Sequence, residues 1–286
     1  MTTTETRETT ARKAVTRTPP VRRVGPVALG LRQGRLELLQ FLRSREAVMF
    51  TLAFPVIMIL IFGSIFSGEI GGGVQFTQYF VTGMIASGLM SVGFQSLAIQ
   101  IPIERDRGVL KRLRGTPMPK WVYFAGKVIM VLTIGAAEIA LLLVVATLIY
   151  DLRLPDTAAK WLTFGWVSLL GITACTLCGI AFSSLARSGR GASAVATPVA
   201  LVLQFISGVF FVFTSLPTWM QQVAAIFPLK WMCQGLRSVF LPESFAAQEP
   251  AGSFELGRVA LVLGAWCVIG LVLCLTTFRW TTKRDG

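Results

Sequence analysis

Six long apolar runs, separated by short polar stretches, account for most of this 286-residue chain. An α-helix needs about 20 predominantly apolar residues to cross the hydrocarbon core of a membrane, and each run reaches that length. The pattern therefore predicts an all-α integral membrane protein with six transmembrane helices. The predicted spans cover residues 47–67, 78–101, 124–149, 161–186, 192–213 and 258–279.

Two segments of different character precede the first span. Residues 1–24 are rich in Thr and Arg and lack apolar periodicity, which predicts a disordered basic tail. Residues 27–46 regain helical spacing, with Leu31 and Leu38 on one side and most arginines displaced from it. This spacing predicts an N-terminal interfacial helix that leads into the first span. We expect a single transmembrane domain over residues 25–286.

The region after the fifth span, residues 214–257, is too long for a simple turn and too apolar for an exposed loop. Prolines such as Pro217 and Pro228 divide it into apolar pieces that are too short to span. Such pieces predict short re-entrant helices on the external side, with their backbone buried in protein. We interpret Lys230 and Arg237, which lie near aromatic residues, as side chains at the membrane interface.

The chain is 53% hydrophobic and only 14% charged, so its composition excludes an ordinary soluble domain. The net charge of +13 does not indicate a nucleic-acid partner, because the cations stand in short blocks between apolar runs. In the predicted layout, 22 of the 27 Lys and Arg residues lie on one side of the membrane. The positive-inside rule places both termini and residues 102–127 on that cytosolic side of the plasma membrane.

The candidate metal and redox residues are few. The chain has five cysteines and no histidine, which removes the commonest metal ligand and general base. Cys175 and Cys178 form a C-x-x-C pattern inside an apolar run, where we expect them to act as small packing residues. We therefore predict no metal site.

The most highly charged segment between spans lies between the second and third predicted spans. Its apolar side chains fall on one side of a helical wheel: Ile103, Val109, Leu110 and Leu113. Its charged side chains fall mostly on the other: Glu104, Arg107, Lys111 and Arg114. The pattern predicts an amphipathic helix over residues 102–117 at the membrane boundary, ended by Gly115, Pro117 and Pro119. The alternative is a loop whose cations only fix the topology.

The order of residues in this segment is more specific than its charge. It reads E-R-x-R-G-x-L-K-R-L-R-x-T-P from Glu104 to Pro117, followed by an aromatic stretch and Gly126-Lys127. This resembles the signature of ABC-2 type transporter permeases, the membrane subunits of one class of ATP-driven exporter. The stretch from Ser207 to Arg237 resembles that family's fifth span and its external short helices.

The resemblance implies that residues 102–117 form a coupling helix, which docks into a groove of a separate ATP-binding subunit. The residues it assigns to this role are Glu104, Arg105, Arg107, Gly108, Leu110, Lys111, Arg112, Leu113, Arg114, Thr116 and Pro117.

The resemblance also implies a pathway where the second and fifth spans of two protomers meet at a dimer axis. The candidate lining residues are Phe94, Gln95, Gln204, Phe205, Phe210 and Phe211. The alternative is that these phenylalanines face lipid or pack between helices. Glu138, near the middle of the third span, is a further candidate because a carboxylate at that depth is costly. It either attracts cationic substrates in a wet cavity or packs, neutral or hydrogen-bonded, against another helix.

No G-x-x-x-x-G-K-[ST] motif occurs in the chain, so we predict a transport subunit without enzymatic activity or a cofactor of its own. ATP and Mg²⁺ are then expected in two copies of a partner subunit, which power a homodimer of this chain among membrane lipids. We expect the cargo to be a small amphiphilic molecule, such as a drug, an antibiotic or a lipid-like compound, exported by alternating access.

Three alternatives remain open from the sequence. The first is an ABC exporter of a lipid-linked glycan or polysaccharide. The second is a secondary transporter driven by protons through Glu138. The third is a polytopic membrane enzyme, which would need a metal or acid–base cluster near the interface, and the sequence offers no pattern for one.

Overall fold

The computed structural model describes residues 25–66, 68–116, 118–186 and 188–278. Within these residues the regular structure is helical, apart from an isolated β-bridge between Glu69 and Gln75. The predicted basic tail over residues 1–24 lies outside the described residues, as does Pro117 of the predicted coupling helix.

The α-helices, in chain order, are Pro26–Arg43 (α1), Arg45–Ile65 (α2), Phe76–Met90 (α3), Ser96–Asp106 (α4), Val109–Arg114 (α5), Lys120–Tyr150 (α6), Ala158–Phe182 (α7), Gly189–Ile206 (α8), Thr218–Ile226 (α9), Pro228–Phe240 (α10) and Leu256–Thr277 (α11). A π-helical turn, Ser91–Gln95, joins α3 to α4. Short 3-10 turns cover Phe213–Ser215 and Glu243–Gln248.

Six helical stretches in the described part of the chain are long and apolar enough to cross a membrane, which confirms the prediction of an all-α protein with six spans. We number them 1 to 6. They are α2, the continuous stretch Phe76–Asp106 that includes α3 and α4, then α6, α7, α8 and α11. The short helices α9 and α10 lie between spans 5 and 6 and are too short to cross.

Span 2 occupies the centre of the bundle. Almost every side chain of α3 is buried, and α3 packs against α2, α6, α7 and α10. The second half of the same span, α4, packs instead against α7 and α8. Spans 1 and 6, in contrast, bury few of their side chains. Span 2 is therefore enclosed by the other helices of the bundle.

Span 5 is shorter than the sequence predicts. The prediction runs to residue 213, whereas α8 ends at Ile206. The reason is local, because Gly208 adopts φ +76°, a left-handed conformation in which a helix cannot continue. The residues that follow fold back over the start of span 2, where Tyr79 accepts a hydrogen bond from the Phe213 N–H at 3.0 Å.

The bundle has two distinguishable ends. The first, which we call the α5 end, carries α5, the last turn of α4 and the start of α8. The second, the α10 end, carries α9, α10 and the start of span 2. The helix α1 packs along the α5-end half of α6. Each end contains a network of buried charged side chains.

Candidate functional site

The surface of the α5 end is cationic. Four exposed residues form what we call the cationic surface: Arg107, Lys111, Arg112 and Arg114. On the opposite side of α5, Leu110 is fully buried and Leu113 packs against the core. The guanidinium group of Arg112 donates to the Arg107 carbonyl oxygen at 3.0 Å. This short helix therefore presents its charges outward while its leucines anchor it to the bundle.

The structure divides the segment that the sequence predicts as one helix. The helix α4 ends at Asp106, and Gly108 takes φ +70° before α5 begins at Val109. This left-handed conformation is accessible to glycine at little cost. The residues before Gly108 consequently continue span 2, whereas those after it form a separate helix. Thr116 follows α5 and is exposed, its hydroxyl donating to the Leu113 carbonyl at 2.7 Å.

Directly behind this segment lies a group of buried ionic side chains, which we call the ion cluster. Lys127 of α6 is fully buried, and its ammonium group lies 2.7 Å from a carboxylate oxygen of Glu37 in α1. The same ammonium group contacts Glu104 of α4. The Tyr123 hydroxyl donates to Glu104 Oε2 at 2.8 Å, and the Gln33 amide donates to Glu37 Oε1 at 3.0 Å. One lysine therefore joins three helices.

The ion cluster contains two carboxylates and one ammonium group. Burial raises the pKa of Glu37, and the Glu104 charge acts in the same direction, while the Lys127 charge opposes the shift. Removing one partner of a buried ion pair leaves an uncompensated charge, which costs about 3–5 kcal/mol. The packing of α1 and α4 on α6 consequently depends on Lys127.

The last turn of α4 also contacts spans 4 and 5. Arg105 is buried, and its guanidinium group donates to the Ser183 carbonyl at 3.1 Å, just beyond the end of span 4. Asp106 accepts a hydrogen bond of 2.6 Å from the backbone N–H of Gly189, the first residue of α8. A carboxylate at a helix N-terminus is favourably placed for the unpaired N–H groups there. The end of span 2 is thus connected to spans 3, 4 and 5.

A cavity of about 70 Å³ separates α5 from the start of α6. Its lining combines cationic and apolar side chains: Leu113, Arg114, Met118, Lys120 and Tyr123. Because Tyr123 belongs to both the cavity wall and the ion cluster, a movement of α5 would reach the cluster directly.

The predicted coupling residues thus fall into two groups. The exposed group comprises Arg107, Lys111, Arg112, Arg114 and Thr116, with Gly108 and Leu113 partly buried. The inward group comprises Glu104, Arg105 and Leu110, which contact other helices of the same chain.

The candidate pathway residues are not gathered into one place. Phe205 and Phe211 are exposed near the α10 end of span 5, and Phe205 packs against Phe210, with ring centroids 4.9 Å apart. Phe210 itself is buried. Gln95 in the π-helical turn is partly exposed and donates to the Thr197 hydroxyl of span 5 at 3.2 Å.

The other candidate pathway residues are buried within the protomer. Phe94 packs edge-on against Phe182 of span 4 at 5.2 Å between ring centroids. Gln204 lies on the face of α8 that packs into the bundle. Glu138 is 2% exposed and its carboxyl group packs against Gly88 of span 2.

A second buried ionic network lies at the α10 end, where the sequence predicts interfacial side chains. Arg237 is fully buried and donates from Nε and Nη2 to the two carboxylate oxygens of Glu249, at 2.5 and 3.2 Å. Its Nη1 lies 3.3 Å from the Tyr79 hydroxyl. Lys230 is also buried, against the Trp231 ring at 3.6 Å and the Gln234 amide oxygen. The interfacial interpretation of both cations is therefore wrong, because each has partners inside the fold.

The sequence interpretation misses Glu37, Glu249 and Tyr79. A signal for Glu37 exists, since it shares a helical face with Gly30 and Gly34, and both glycines are buried against α6. Two glycines on one helical face indicate that this face packs closely against another helix. A carboxylate on the same face is then buried and needs a partner. No comparable local signal marks Glu249.

Comparison with known proteins adds an independent observation. The family model described as ABC-2 type transporter matches residues 34–241. The chain is 26% identical over 197 residues to the inner membrane transport permease YadH of Escherichia coli K12, which covers 67% of this chain and 75% of that protein. It is 21% identical over 201 residues to the transport permease YvfS of Bacillus subtilis 168, which covers 69% of this chain and 79% of that protein.

Proposed function

Because the chain belongs to the ABC-2 type transporter family and is therefore the membrane subunit of a transporter, we propose that it is the permease of an ATP-driven exporter. YadH and YvfS are themselves named as transport permeases. In this proposal the chain lies in the inner, or plasma, membrane as a multi-pass protein. The concentration of Lys and Arg at the α5 end supports a cytosolic location for that end and for both termini.

The partner in this proposal is an ATP-binding subunit that docks on the cationic surface and holds ATP and Mg²⁺. One observation carries the proposal, namely that the exposed charges of α5 stand directly in front of the ion cluster. A displacement of α5 by the partner would act through buried Leu110 and through Glu104 on Lys127. It would thereby move α1 and span 3, while Asp106 transmits the displacement to span 5.

Two copies of the chain, each with one ATP-binding subunit, complete the proposed transporter. We assign the contact with the second protomer to spans 1 and 5, whose exposed apolar side chains include Phe50, Phe54, Leu201 and Phe205. Closure of the ATP-binding pair would convert a pathway open to the inside into one open to the outside. Such a shift requires that the two states differ in their contacts. We propose that the contacts within the ion cluster are the ones that differ.

The proposed cargo is a small amphiphilic molecule, such as a drug, an antibiotic or a lipid-like compound. Support comes from Phe205 and Phe211, two exposed aromatic side chains at the end of α8 and in the turn that follows it. The alternative cargo is a lipid-linked glycan. Transport assays in proteoliposomes with a cationic dye, a neutral drug and a glycolipid would separate these cargoes.

The docking proposal is tested by co-purification and ATPase measurements with the ATP-binding subunit that we expect to be encoded beside this chain. We expect the charge reversals Arg107→Glu and Arg114→Glu together to lower permease-dependent ATPase stimulation by about tenfold or more, because docking surfaces depend on complementary charge. Arg153→Glu, an exposed arginine between spans 3 and 4, is the matched control and should leave stimulation unchanged. If no ATP-binding subunit co-purifies and the chain alone transports on a proton gradient, the exporter proposal is wrong.

A further inference from the structure

Glu138 has an unusual environment at the interface between spans 2 and 3. It lies near the middle of α6, is 2% exposed, and its Oε2 atom has no hydrogen-bond partner. Its carboxyl group occupies the space beside Gly88, where a Cβ atom would come within 2.5 Å of the Glu138 carboxyl carbon. The two helices therefore pack around a carboxyl group whose Oε2 atom receives no hydrogen bond.

Charged groups on the surrounding elements have other partners or lie far away. The helix α3 and the π-helical turn contain no Asp, Glu, Lys or Arg. On α6, Lys127 stands eleven residues from Glu138, about 16 Å along the axis, and belongs to the ion cluster. Lys160, at the start of α7, pairs with Asp156. On α7, Cys175 lies on the face toward span 2, beside Gly93.

The remaining groups on elements that pack against α6 also lie at the ends of the bundle. Glu37 of α1 is in the ion cluster, and Arg45 and Glu46 begin α2 at the α5 end. Tyr79 of α3 belongs to the Arg237 network, and Tyr150 of α6 donates to the Ile59 carbonyl at 3.2 Å. Within the described residues, no cation is therefore placed to compensate a negative charge on Glu138.

An ionised carboxylate in such a place would cost several kcal/mol, because the group is almost fully buried and its Oε2 atom receives no hydrogen bond. We propose that Glu138 binds a proton while spans 2 and 3 are packed together and releases it to water when the two spans separate. The packed arrangement then binds one more proton than the separated one. By linkage, low pH favours the packed arrangement, and rising pH favours separation by up to about tenfold per pH unit.

This inference goes beyond the proposed function, because the proton site exists in the permease whether or not an ATP-binding subunit docks. It also differs from proton-driven transport, since the proton shifts a conformational equilibrium and supplies no driving force for the cargo. The tests below use the full chain alone in lipid nanodiscs, so a failure of the docking proposal would not affect them.

The first test detects the proton by infrared spectroscopy. We expect wild-type protein at neutral pH to show the carbonyl band of a protonated carboxyl group, and Glu138→Gln to lose that band. Glu138→Asp keeps a carboxyl group and should shift the band instead of removing it, which preserves the test if the glutamine variant does not fold. The control is Glu46→Gln, which removes an exposed carboxylate and should leave the band intact.

The second test measures separation of the spans with spin labels at Gln78 and Leu148, in a background without native cysteines. In the wild type, the population with the longer distance should grow as pH rises, whereas in Glu138→Gln the distribution should be independent of pH. A neutral-pH carboxyl band that survives in both Glu138 variants unchanged would overturn the proposal. So would a distance distribution that responds to pH equally in the wild type and Glu138→Gln.

Discussion

The two ends of span 2 each carry a buried ionic network, but the two networks are built differently. At the α10 end, Arg237 donates two hydrogen bonds to a single carboxylate, that of Glu249. At the α5 end, Lys127 is shared by two carboxylates on two different helices, Glu37 and Glu104. The planar guanidinium group fixes the geometry of its partner, whereas an ammonium group on a flexible stem tolerates several arrangements.

This difference indicates distinct roles for the two ends. Arg237 of α10 pairs with one carboxylate in a defined geometry and also contacts Tyr79 of span 2. Such an arrangement suits a fixed contact between the two helices. The ion cluster holds an excess of carboxylate over ammonium, so α1 and α4 compete for one lysine. We expect helices to move relative to one another more readily at the α5 end.

The largest expected effect is that of Lys127→Met. It leaves the buried Glu37 carboxylate and the partly buried Glu104 carboxylate without this cation. We expect a loss of about 5 kcal/mol in the free energy of unfolding, measured by chemical denaturation in detergent. The triple variant Lys127→Met with Glu37→Gln and Glu104→Gln should regain most of that loss. A triple variant no more stable than the single one would show that the charges do not interact as described.

Arg237→Met should have the second largest effect. It leaves the buried Glu249 carboxylate unpaired, at a cost of about 3–4 kcal/mol in the same measurement. Adding Glu249→Gln should restore most of the stability. If the two substitutions prove additive, the proposed difference between a fixed and a shared ion pair loses its support.

Glu37→Gln distinguishes the two networks most sharply. Because burial raises the pKa of Glu37, its neutral form favours the folded state, and that contribution is lost as the pH rises above the ordinary value of 4.5. We therefore expect Glu37→Gln to be as stable as the wild type, or more stable by on the order of 1 kcal/mol, at neutral pH. Transport per ATP hydrolysed should fall in the same variant.

The corresponding control is Glu249→Gln, which removes the carboxylate bound by Arg237 and should destabilise the protein at neutral pH. Equal stability losses in Glu37→Gln and Glu249→Gln would contradict the comparison of the two ends.

Arg114→Ala should have the smallest effect on stability. The residue is exposed, and substitutions at such positions change the free energy of unfolding by about 0.5 kcal/mol or less. Its effect should appear instead in the affinity for the ATP-binding subunit, measured by titration of ATPase stimulation. A large loss of stability would show that Arg114 belongs to the fold as Lys127 does.

Much of this architecture could be predicted from the sequence because it depends on local periodicity. The six spans follow from the lengths of the apolar runs, and the sides of α5 follow from the spacing of Leu110 and Leu113. The division at Gly108 does not follow, because a helical wheel treats glycine as an ordinary position. The π-helical turn also leaves no mark, since its sequence, SVGFQ, contains no residue that excludes an α-helix.

The buried ion pairs were beyond such reasoning for a different reason. Lys127 and Glu37 are 90 residues apart in the chain, and a single sequence does not reveal which distant residues meet. Counting cations predicts an orientation in the membrane but treats each cation as exposed, so it interprets Arg237 as an interfacial residue. The depth of Glu138 alone predicts that its carboxylate is costly, whereas the space beside Gly88 that accommodates it is visible only in three dimensions.

The π-helical turn sets how the second half of span 2 is rotated about the helix axis relative to the first half. One extra residue in a helix offsets everything after it by about 100° around the axis. Deleting one residue from Ser91–Gln95 would leave Tyr79 facing Arg237 but would turn Glu104 away from Lys127 and Asp106 away from Gly189. The rotation of this span about its axis thus determines which helices its end contacts. The identity of the charged side chains there matters no more than this rotation does.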